Sequence, residues 1–125
     1  MSEDEKPLNV MEEPLESCSM EPVTGFFRNG SCMTDERDHG KHTVCAVMTE
    51  DFLEYTKSKG NDLSSPNPTF GFPGLKPGDK WCLCAARWLE AYEDGKAPLV
   101  NLQSTEISTL EVVPKQALID RAMLS

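Results

Sequence analysis

Residues 61–80 contain four prolines and three glycines. Proline lacks the backbone N–H that a helix interior or a sheet ladder requires, and glycine weakens both. That stretch is read as a long connection, so the ordered elements are short and lie to either side of it. Long connections of this kind often carry function.

Before it, His42 to Met48 reads as a strand rich in apolar and β-branched residues. Regular alternation puts His42, Val44, Ala46 and Met48 on one face and Thr43, Cys45 and Val47 on the other. Thr49 is positioned to cap a helix over Glu50 to Lys59, with Glu50 and Asp51 in its first turn and Gly60 as its stop. After the connection, Trp81 to Cys84 is a short strand or the entry to a helix. Ala85, Trp88, Leu89 and Tyr92 fall at i, i+3, i+4 and i+7, which predicts a helix over Ala85 to Asp94. Leu99 to Leu102 follows as a strand, Thr105 to Leu110 as a short helix, and Pro114 opens a last helix. These elements describe a small α+β domain with a short, mostly antiparallel sheet, about three helices and long Pro/Gly-rich loops.

A length of 125 residues fits one domain. The formal charge is −9, and seven acids with a single base lie in residues 1–21. Residues 1–16 are therefore expected to be an acidic, flexible leader, with one globular domain over 17–125. No Lys/Arg cluster provides a phosphate-backbone footprint, which argues against nucleic acid. No apolar run approaches the roughly 20 residues of a membrane helix, and the start lacks the pattern of an export signal. The expectation is a cytoplasmic protein, not at a membrane, whose five cysteines are reduced.

Two thiols, Cys82 and Cys84, flank Leu83 and share a face if this segment is a strand. They can pair, bind metal or simply fill the core. Cys18, Cys32 and Cys45 would complete a zinc set with them, with His39 and His42 as further ligands, although the usual knuckle spacing is absent. Zinc is thus the minor reading. His42 can instead serve as a base beside Cys82 or Cys84. His39 falls in the run Asp35-Glu36-Arg37-Asp38-His39-Gly40, which reads as a solvated turn. Asn61, Asp62 and Asp79 either build turns or point into a pocket. Arg28 and Arg87 are surface residues or anion clamps. Phosphate-loop, dinucleotide, His-Glu-x-x-His and Gly-x-Ser-x-Gly motifs are absent.

The segments Thr24-Gly25-Phe26, Arg28-Asn29-Gly30, His42-Thr43-Val44-Cys45-Ala46, Gly60-Asn61-Asp62-Leu63, Phe72-Pro73-Gly74-Leu75-Lys76-Pro77-Gly78-Asp79, Trp81-Cys82-Leu83-Cys84-Ala85 and Arg87-Trp88 together resemble the family catalogued as domain of unknown function 2237. The resemblance covers roughly residues 17–118. It implies a compact, standalone, bacterial-type domain to whose pattern the five cysteines and His42 belong, with His39 a local departure. The polar members of the pattern lie mostly in loops or at element ends, which favours a pocket.

Two functional expectations follow. In the first, loops 24–42 and 60–81 enclose a small-molecule or thiol-dependent enzymatic pocket, with His42 and Cys82 or Cys84 as base and thiol and Arg28 or Arg87 fixing an anion. In the second, the domain is a non-catalytic structural or interaction module, with the cysteines in the core or on zinc. Neither names a substrate or an oligomeric state.

Overall fold

The computed structural model describes residues 7–20, 23–66 and 74–123. Strand β1 (His42–Val47) is central, flanked by β2 (Lys80–Cys84) and β3 (Leu99–Val100), and both pairings are antiparallel. Its central position follows from its composition: Thr43, Val44, Cys45 and Ala46 are all buried, so both faces are covered. Helix α1 (Glu50–Ser58) begins at Thr49, whose Oγ1 accepts the Phe52 N–H at 3.0 Å. Helix α2 (Ala85–Glu93) starts directly from β2, with Cys84 both the last strand residue and the cap position. Two 3-10 segments, Leu102–Ser104 and Ile107–Glu111, precede α3 (Lys115–Asp120).

The sheet has two differently used faces. Val44 and Ala46 of β1, with Trp81 and Leu83 of β2, join the main core with Phe52 of α1 and Trp88 of α2. Trp88 is fully buried, and its Nε1–H donates to the Pro98 carbonyl at 3.1 Å, so the one polar atom of its ring is satisfied. The other face holds Cys45 and Cys82, which form a separate buried cluster with Cys18 and Cys32.

One irregularity in β1 alters the expected alternation. His42 pairs with Cys84 and Val44 pairs with Leu83, leaving Thr43 as an extra residue in the ladder. Regular alternation groups His42 with Val44; the bulge instead sets His42 opposite Cys84. Thr43 is buried and accepts the Thr109 hydroxyl at 2.7 Å, which fixes the bulge from outside the sheet.

Residues 7–16, expected to be part of a flexible leader, lie against the body. Val10 is fully buried, and its N–H donates to the Thr105 carbonyl at 3.0 Å. The buried Asn9 side chain accepts the N–H groups of Met11 and Glu13 and donates to the carbonyls of Pro14 and Gln103. A polar side chain with four partners is not penalised by burial. Residues 1–6 of the expected leader, and residues 67–73 of the 60–81 connection, lie outside the described residues.

Candidate functional site

Four of the five cysteines are paired, as Cys18–Cys45 and Cys32–Cys82. This departs from the expectation of reduced thiols, because pairing depends on spatial approach that spacing does not reveal. Cys45 and Cys82 face each other across β1 and β2, yet each bonds a cysteine of the 17–33 loop instead of its neighbour. The two bonds therefore staple that loop onto the sheet. Cys82, a candidate nucleophile, is buried and bonded; Cys84 is the free thiol and is half-buried. The zinc alternative drew on all five cysteines, but Cys84 stands apart from the four-cysteine cluster. His39 is exposed and joins no ligand cluster among the described residues.

The stapled loop forms one wall of a cavity of about 440 Å³ beside the edge strand β2. Gly25, Phe26 and Arg28 come from the loop, His42 and Cys84 from the sheet, Asn61 from the α1 exit and Arg87 from α2. Its size lies within the range of small-molecule sites. The loop is held by local backbone economy. Gly25 has φ of +101°, and a Cβ there would lie 2.2 Å from the Ser31 carbonyl oxygen, so the position accepts only glycine. Thr24 Oγ1 accepts the Cys82 N–H at 2.8 Å, joining the loop to the strand edge. Arg28, itself at φ of 54°, places its guanidinium 5.1 Å from the Trp81 ring centre.

His42 is oriented from behind. Its Nδ1 is 2.7 Å from Asp38 Oδ1, and its backbone N–H donates to Asp38 Oδ2 at 2.9 Å. The Asp38 side chain is 1% exposed and that of His42 is 43% exposed, so the carboxylate is interior and the ring faces the cavity. Burial alone would raise the Asp38 carboxyl, but hydrogen bonds from the His42 ring, the His42 N–H and Thr34 outweigh it and hold the group below its ordinary value. An ionised Asp38 is an acceptor only, so Nδ1 carries the hydrogen between them and Nε2 is the ring nitrogen left to face the cavity. Phe26 stacks on His42 with ring centres 6.5 Å apart, and Phe27 meets Phe26 edge-on. Both phenylalanines are about one-third exposed and anchor the loop to His42 and to each other.

In the sequence, Asp38 falls in an acidic run that reads as a solvated turn. Its one available signal was the i, i+4 spacing to His42. Asp62 and Asp79 do not line the cavity. Asp62 accepts the N–H groups of Ser64 and Ser65, and Asp79 accepts the Lys76 N–H at 2.9 Å. Asn61 lines the cavity while its amide donates to Thr56 Oγ1 at 3.3 Å. Arg87 Nη1 donates to the Lys59 carbonyl at 3.2 Å and lies 3.4 Å from Glu90 Oε1. Among the described residues, Arg28 has no carboxylate partner and no carboxylate lines the cavity. Arg28 thus brings positive charge to the cavity within a chain of net charge −9.

No described helix is long and apolar enough to cross a membrane. A search of curated proteins finds no match to the chain. A family model matches residues 8–122, and the chain belongs to the family it defines, described as an uncharacterized protein conserved in bacteria, DUF2237.

Proposed function

We propose that this domain is a small thiol-dependent enzyme acting on an anionic small molecule with an activated carbonyl. The observation that carries the reading is the convergence of a free thiol, an oriented imidazole and two guanidiniums on one cavity. Cys84 is the nucleophile, His42 the general base, and Asp38 a positioning residue that sets the tautomer of His42. Arg28 and Arg87 bind the anionic group of the substrate. The Cys84 side chain makes no capping bond to α2, and the Ala85 N–H donates to the Lys41 carbonyl at 3.0 Å, which leaves the Ala86 and Arg87 N–H groups of the first turn without a side-chain cap. They are suited to hold an oxyanion.

The thiol proton passes to His42 Nε2, the sulfur–carbon bond forms, and the leaving group departs with that proton. Water then cleaves the thioester with His42 again as base. Cys84 lies outside both disulfides, so its thiol is free to react. A cavity of about 440 Å³ suits a small molecule and not a nucleic-acid strand.

Aryl esters of small dicarboxylic acids, with one carboxylate free, test the reading. Expected is an acyl adduct on Cys84 by mass spectrometry, absent in Cys84→Ser and formed more slowly in His42→Ala. Equal acylation of wild type and His42→Ala, or no adduct on Cys84, would overturn it.

A further inference from the structure

The two disulfides are packed against each other. The sulfurs of Cys18, Cys32 and Cys82 all lie within 4.8 Å of one another, and Cys45 is bonded to Cys18. All four residues are at most 5% exposed. We infer that these four cysteines, once reduced, form a single tetrathiolate site for zinc or a similar soft divalent cation. The inference is independent of the Cys84 cavity.

Zinc–thiolate bonds of about 2.3 Å in a tetrahedron put the sulfurs about 3.8 Å apart. Opening two S–S bonds and drawing the sulfurs of Cys18, Cys32 and Cys82 to that spacing needs only short movements, and Cys45, now bonded to Cys18, has to turn toward the other two. Cys45 and Cys82 are opposed on a hydrogen-bonded ladder, and their N–H groups donate to the hydroxyls of Thr105 at 3.1 Å and Thr24 at 2.8 Å. The Cys18 N–H donates to the Gly30 carbonyl at 2.6 Å. None of these bonds involves sulfur, so the backbone that gathers the thiols is held by contacts that survive reduction. Two ligands then come from the loop and two from adjacent strands. Four buried thiolates are a donor set that selects zinc-like ions over harder ones.

The chemistry balances. Each disulfide takes two electrons and two protons from a dithiol, which is itself oxidised to a disulfide. Metal binding then releases the four thiol protons. Oxidation of the four bound thiolates by two peroxides, with four protons taken up from water, ejects the metal and restores the two disulfides, with four waters as the other product.

Cobalt(II) provides the test. Full-length protein is reduced with a dithiol, freed of it under nitrogen and titrated with cobalt, then with zinc. Expected are the visible bands of tetrahedral cobalt and a thiolate-to-cobalt charge-transfer band, saturating at one metal per chain. Zinc should abolish them, Cys84→Ser should retain them, and Cys45→Ser or Cys82→Ser should lose them. The oxidised protein should show none. If the reduced chain unfolds, as judged by circular dichroism, one equivalent of zinc should refold it. Reduced protein, folded or not, that neither binds cobalt in this geometry nor refolds with zinc would overturn the inference. Retention of the full spectrum in Cys82→Ser would do so as well.

Discussion

Asp38 holds His42 twice, once through the ring Nδ1 at 2.7 Å and once through the backbone N–H at 2.9 Å. Both bonds span the four residues that lead into β1, and they end on a carboxylate that is 1% exposed. A single buried acid thus sets the direction of the ring and closes the turn that delivers it to the sheet.

Because the Asp38 carboxyl is held below its ordinary value in the folded protein, it binds protons more readily when unfolded. Its contribution to stability is complete above the unfolded value, ordinarily near 3.8, and is lost as pH falls through the lower folded value. Asp38→Asn should remove that part of the acid dependence. It should also cost about 1–3 kcal/mol at neutral pH, the typical penalty for a broken buried hydrogen-bond pair. Thermal melts of both proteins as pH is lowered from 7 check this; parallel acid profiles would contradict it.

Gly40 provides the space in which the ring lies. A Cβ at this position would sit 3.0 Å from His42 Cε1, tighter than ordinary contact. Gly40→Ala should displace the imidazole from Asp38 while leaving the core intact. The expected signature is a changed His42 imidazole proton spectrum with a melting temperature near that of the wild type.

The staples close loops with sequence separations of 27 and 50 residues. The chain-entropy treatment assigns each roughly 3.5–4 kcal/mol of stabilisation. Reduction with a dithiol in the presence of a chelator should lower the denaturant midpoint markedly. Denaturant titrations with and without dithiol measure the effect, and an unchanged midpoint would contradict it.

Asn9 anchors the early segment through four bonds of its side chain. Asn9→Ala should strand the donors and acceptors that it now satisfies and cost about 1–3 kcal/mol. An unchanged unfolding free energy would show that the four bonds of Asn9 contribute nothing net to the fold.

Much of the architecture was legible because it rests on local rules. Thr49 before Glu50-Asp51, Gly60 after Lys59, and the Ala85–Trp88–Leu89–Tyr92 stripe are short-range signals that mark α1 and α2. The bulge at Thr43 was not, since one unpaired residue leaves no trace in a run of β-branched and apolar side chains. The docking of residues 7–16 rests on Val10 and on the bonds of a single asparagine, neither of which produces a period. The disulfides depend on β1 and β2 lying side by side, a long-range fact. Asp38 looked solvated because its neighbours Asp35, Glu36 and Arg37 are exposed, and nothing in their order marks the one acid that turns inward.

The central claim is that Arg28 and Arg87 present an anion to Cys84, and a matched pair of reagents tests it most directly. Iodoacetate and iodoacetamide alkylate the same thiol and differ in one charge. The ratio of their rates at Cys84 should favour iodoacetate by about tenfold over the ratio in the denatured chain, since a charge-assisted hydrogen bond contributes about 1.5–3 kcal/mol. Arg28→Ala and Arg87→Ala should each reduce that preference. A rate ratio equal in the folded protein, the denatured chain and both variants would contradict the account.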